Sequence, residues 1–85
     1  SWGETINNLN SVVSSWEAVK GQGWINQEDL KRLLDLLNRE RTIASNILAR
    51  MQANKWLTND EENSIKEYDR LSTESVELAN KLNSK

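Results

Sequence analysis

Histidine and cysteine are both absent from this 85-residue chain, so its chemistry is confined to carboxylates, lysine, arginine, hydroxyls and one tyrosine. Without histidine there is no common general base and no Ser-His or Cys-His pair. Without cysteine there is no disulfide framework and no thiolate metal site. The densest remaining constellation is Asp60-Glu61-Glu62. Three adjacent carboxylates carry the charge for a cation or for acid/base work. They lack the alternating oxygen ligands and central glycine of a calcium loop, and their place at a helix start explains them without a ligand. Glu28-Asp29 and Asp35 read the same way, as charges of a first turn and a solvated face. No catalytic residue, cofactor or metal is expected, and the chain is not expected to be an enzyme.

Two other groupings bear on binding. Arg39, Arg41, Arg50 and Lys55 make one stretch locally basic, with Glu40 as its only acid. Such a strip could meet phosphates, although its cations spread over several helix faces and the chain as a whole carries a net charge of −2, which is no footprint for nucleic acid. Glu40 occupies a seam position between Leu37 and Ala44. It reads either as one half of an ion pair across a bundle or, preferably, as the point where another helix stops covering it.

The elements that position these residues follow from composition and periodicity. Proline is absent and glycine is confined to Gly3, Gly21 and Gly23, which makes a helical chain nearly unavoidable. Eighty-five residues fit one domain, expected over residues 1–85. No apolar run approaches the roughly 20 residues of a membrane helix and no signal-peptide pattern is visible. No membrane is expected, and a cysteine-free helical chain suggests a cytoplasmic or intraviral setting. A first residue Ser1 in place of methionine suggests processing, a tag scar or excision from something longer.

Three amphipathic stretches are legible. Trp2, Ile6, Leu9, Val13 and Trp16 follow heptad spacing and predict a helix over about 4–20, ended by the glycines that follow. Asn26 as cap, Glu28 and Asp29 in the first turn and an Ile25–Leu30 staple open a second, over about 27–54. Its stripe is Leu30, Leu33, Leu37, Ala44, Ile47 and Met51. Thr58 and Glu61 form a capping-box pair that opens the third, over about 59–83, with Ile65, Tyr68, Leu71, Ser75, Leu78, Ala79 and Leu82 facing inward. The segment from Trp24 to Asp29 is echoed by that from Trp56 to Glu61. This pattern resembles helix starts in small phage and bacterial proteins, but six residues name no family.

Short connections favour antiparallel neighbours, so the expected fold is all-α, an antiparallel up-down-up three-helix bundle. Trp24 falls at one end; Trp2 and Trp56 fall at the other, where they are expected to cover the core. The first helix is too short to reach the far end of the other two. That mismatch predicts an apolar surface of Ile43, Ile47, Met51, Trp56, Leu57 and Ile65, with Leu48 nearby, of the kind that marks protein interfaces. The expected function is therefore non-enzymatic protein binding, by an adaptor, regulator, inhibitor or assembly subunit. Its partner would be another protein or a second copy of the chain. Nucleic-acid contact through Arg39, Arg41, Arg50 and Lys55 is the alternative.

Overall fold

A computed structural model describes residues 1–84; Lys85, last residue of the expected domain, lies outside the described residues. Three helices, α1 (Trp2–Glu17), α2 (Gln27–Gln52) and α3 (Asn59–Asn83), account for most of the chain. They form an all-α three-helix bundle with principal extents of 46 × 19 × 16 Å. Ion pairs record the antiparallel sense of α2 and α3. Lys81 near the end of α3 meets Asp29 at the start of α2, and Arg50 near the end of α2 meets Glu61 at the start of α3.

Each helix begins where a side chain takes up its free amides. The Ser1 hydroxyl accepts from the Glu4 amide at 3.2 Å, which starts α1 two residues earlier than its hydrophobic pattern suggests. Asn26 accepts from Asp29 N–H at 3.0 Å. Thr58 and Glu61 form the reciprocal capping box. The ends are set by backbone geometry. α1 stops at Glu17, short of residue 20, because Val19 and Lys20 N–H groups turn to carbonyls three residues back. Gly21, at φ 86°, then takes the left-handed conformation that a side chain would disfavour. α2 stops at Gln52 rather than 54 in a Schellman motif. Asn54 is left-handed at φ 54°, Lys55 N–H donates to Arg50 C=O at 3.2 Å, and Asn54 N–H to Met51 C=O at 3.0 Å.

The core follows the expected stripes. Leu9 and Val13 of α1 pack with Leu30, Leu33, Leu34, Leu37 and Ala44 of α2 and Leu78 and Leu82 of α3, and the staple residue Ile25 is buried beside them. A second cluster joins Ile43, Ile47 and Leu71, with Trp2, Leu57, Ile65 and Tyr68 packed against it. Both α1 and α3 pack on α2. Among the described residues, no Cα of α1 lies within 8 Å of a Cα of α3. α1 reaches α3 through side chains instead, including a Trp2–Tyr68 edge-to-face contact.

This packing corrects three expectations. Ile43 is 3% exposed and Ile47 1%: α3 shields them together with Trp2 of α1, so they are core rather than surface. Trp24 and Trp56 do not cover the bundle ends, being 57% and 95% exposed. Only Trp2 folds over. Glu40 does not mark an uncovered position, since it is 2% exposed.

Candidate functional site

With Ile43 and Ile47 withdrawn into the core, the predicted apolar surface contracts to the α2–α3 turn. Met51 is 45% exposed and Trp56 almost wholly so, while Leu57 and Ile65 are half-buried against the Ile43–Ile47–Leu71 cluster. The turn that carries Trp56 is held from both sides. The Schellman bonds close α2, and on the α3 side Glu61 serves two partners. Its Oε1 accepts from the Thr58 amide at 2.7 Å and its Oε2 from Arg50 Nε at 3.0 Å. Those donors hold the Glu61 carboxyl below its usual range, the Thr58 backbone N–H contributing most and Arg50 next. Of the acidic cluster, Glu61 is therefore a helix cap and a strut between helices. Among the described residues, no three acidic side chains come together as a cation site would require.

The basic residues divide. Arg39, Arg50 and Lys55 line one open cleft of about 480 Å³ along α2 and α3, with Asp60 and Glu61 on its other wall. Arg41 lies elsewhere, donating to Asn10 of α1 at 3.1 Å and to Asn38 at 2.6 Å. Arg39 Nε meets Glu67 of α3 at 2.8 Å, and this hydrogen bond raises the arginine and holds Glu67 below its usual range. Arg50 is paired with Glu61. Arg39 and Arg50 of α2 thus meet carboxylates of α3 across one packed pair, and among the described residues only Lys55 of the three cleft cations makes no ion pair.

A second concavity was not foreseen. Between α1 and α3 runs a trough of about 320 Å³, floored by Leu33, Leu37 and Glu40 of α2. Val12 and Trp16 stand on its α1 wall; Tyr68, Ser72 and Val76 stand on its α3 wall. Trp16, expected in the core, is half-buried here. Glu40 Oε2 is buried with no hydrogen-bond partner. Burial pushes the Glu40 carboxyl above its usual range, and the Ser75 hydroxyl opposes this less strongly. Tyr68 is also raised, by burial first and then by the nearby Glu40 and Asp69 charges. The signal in the sequence was a carboxylate at a seam position. That position suggests half of an ion pair across the bundle or an uncovered point, but the neighbouring Arg39 and Arg41 bond to other residues.

The fold and its surfaces define a small helical bundle with an exposed aromatic tip, a charge-paired cleft and one apolar trough. No protein family, no curated protein and no solved structure matches the chain. No helix among the described residues is long and apolar enough to cross a membrane.

Proposed function

We propose that this chain is a non-enzymatic protein-binding module whose contact surface is the α2–α3 turn, centred on Trp56 and Met51. One observation carries the reading: Trp56 stands 95% exposed on a turn fixed by a Schellman motif, a capping box and the Arg50–Glu61 pair. A large aromatic side chain gains little by lying in water. At an interface it contributes area and an N–H donor, and tryptophan is enriched at binding hot spots for that reason. A turn already ordered loses little further entropy when a partner covers it. Met51 beside it adds a flexible apolar contact that adapts to the partner's shape.

Sedimentation equilibrium of the chain over a wide concentration range tests whether the partner is a second copy. Association that Trp56→Ala and Met51→Asp both abolish, with helicity unchanged, is the expected result for self-association. A monomer at all concentrations removes the second copy and leaves a different protein as partner, to be sought with Trp56→Ala as the negative control. The nucleic-acid alternative gathers Arg39, Arg50 and Lys55 in one cleft. A phosphate there would have to displace Glu67 and Glu61 from the two arginines. Binding of that kind would weaken steeply with salt and would vanish in Arg50→Glu.

A further inference from the structure

The trough between α1 and α3 is open and mostly apolar, with Thr5, Asn8, Ser72 and Ser75 among its lining residues, and is poorly explained by packing alone. Val12 and Val76 on its two rims are 39% and 57% exposed, because the helices that carry them do not close on each other. Its volume of about 320 Å³ falls at the lower end of small-ligand sites, about 300–1,000 Å³. A helix, some 10–12 Å across with its side chains, does not enter such a space. Only something of side-chain bulk reaches the floor.

The floor holds an unsatisfied acceptor. Glu40 is 2% exposed and its Oε2 has no donor, a strongly unfavourable state for a carboxylate. The two arginines beside it in sequence are committed elsewhere. Arg39 is held by Glu67, and Arg41 by Asn10 and Asn38. The Ser75 hydroxyl, which donates to the Ser72 carbonyl at 3.0 Å, also acts on the Glu40 carboxyl, but it lowers the acid less than burial raises it. No lysine or arginine lines the trough, and its only other ionisable residue is Tyr68. An apolar chamber with one unmatched acid is complementary to an apolar molecule with one cationic donor. A charged N–H forms a stronger and shorter bond to carboxylate than a neutral hydroxyl does, and an anion is repelled.

We propose that the α1–α3 trough binds a small apolar ammonium, an amine whose N–H donates to the Glu40 carboxylate while its hydrocarbon body lies along Leu33, Leu37, Val12 and Val76. The site is separate from the Trp56 turn, so Trp56→Ala leaves it unchanged.

Calorimetric titration of the full chain at pH 7 with octylammonium, octanol and octanoate tests this, because the three share one tail and differ only in the head. Octylammonium is expected to bind at least tenfold more tightly than octanol, with octanoate weakest. Glu40→Gln should bring octylammonium to the level of octanol and leave octanol itself unchanged. Val76→Trp, which fills the trough from its exposed rim, should weaken all three. Amide shifts in a ¹H–¹⁵N spectrum should move at Val12, Ser72 and Val76, and this readout on the wild-type chain decides the matter if Glu40→Gln fails to fold. Equal binding of the three heads, no binding, shifts confined to other surfaces, or a preference that survives in Glu40→Gln overturns the proposal. So does self-association that Glu40→Gln abolishes without any octylammonium binding, since the cation would then come from a second copy.

Discussion

Trp2 meets Tyr68 edge to face, with ring centroids 5.5 Å apart and ring planes at 81°. The positive edge of one ring lies toward the negative face of the other, an arrangement favoured by about 0.5–1.5 kcal/mol beyond the area it buries. The contact does more than join two rings. It lets the first residue of the shortest helix reach across to α3, and Trp2 packs against both apolar clusters of the core.

Trp2→Ala should therefore destabilise the fold by about 2–3 kcal/mol, below the roughly 3–5 of a fully buried aromatic because Trp2 is only partly buried. For a domain of this size that is a fall in Tm on the order of 10 °C or more. Thermal unfolding followed by far-UV circular dichroism measures it. A change within about 0.5 kcal/mol would mean that Trp2 is not a structural closure.

Ile47 and Met51 lie four residues apart on α2 but should respond oppositely to a charge. Ile47 is 1% exposed, so Ile47→Asp buries an unpaired carboxylate and should unfold the chain, while Ile47→Ala should cost about 2–5 kcal/mol. Met51 is 45% exposed, and Met51→Asp should leave stability within about 0.5 kcal/mol. Urea denaturation of the pair separates core from surface. Equal destabilisation by the two Asp variants would place Met51 in the core and remove it from the proposed contact surface.

The turn bearing Trp56 depends on its cap. Thr58→Ala removes the acceptor for the Glu61 amide (3.2 Å) and should cost about 1 kcal/mol. It should also loosen the turn, so that any partner affinity falls even though residue 58 need not touch the partner. Trp56→Ala should leave stability unchanged while abolishing that affinity. Acrylamide quenching offers an independent check. Of the four tryptophans, Trp56 should be the most accessible, and Trp56→Phe should remove the most readily quenched component of the emission.

Helix number, caps and inward stripes were legible because they depend on short-range rules. Asn26, Thr58 and Glu61 cap where their spacing says, and Leu9, Val13, Leu33, Leu37, Leu71 and Leu78 are buried as their periodicity requires. The candidate surface was legible only in part. Helix lengths suggested that the end beyond α1 lacked cover, yet α3 in close contact with α2, with Trp2 reaching over from α1, buries the facing residues there. Ile43 and Ile47 are therefore hidden, while Met51 and Trp56, off that line of contact, stay outside. The trough was not legible at all. It depends on α1 and α3 standing apart, a matter of how two helices sit on a third, which heptad spacing does not encode. Glu40 was noticed, but as half of an ion pair across the bundle or, preferably, as an uncovered point; it is neither, since it is buried and its neighbours Arg39 and Arg41 bond to Glu67 and Asn10.

Glu40 also yields the most discriminating pH prediction. Burial raises its carboxyl above the ordinary 4.5, opposed less strongly by the Ser75 hydroxyl; Tyr68 of α3 is the other titratable residue lining the trough, and none lines it from α1. A raised acid is favoured neutral in the fold. Its penalty is therefore absent below about pH 4.5 and grows as pH rises through the raised value. Glu61 and Glu67 run the other way. Their lowered values give stability that is present above about 4.5 and lost as pH falls through them, so the wild-type profile is a sum of opposite slopes. Subtracting a Glu40 variant isolates one of them. Glu40→Gln and Glu40→Met should be more stable than the wild type at pH 7 by about 1–2 kcal/mol, and the gain should shrink toward zero near pH 4. Urea titrations at several pH values measure the difference. A constant difference across the range would show that Glu40 does not titrate within it. A wild type more stable than both variants at pH 7 would mean that the carboxylate has a partner in solution. A gain at pH 7 combined with lost octylammonium selectivity would show a residue kept at the expense of stability because of what it binds.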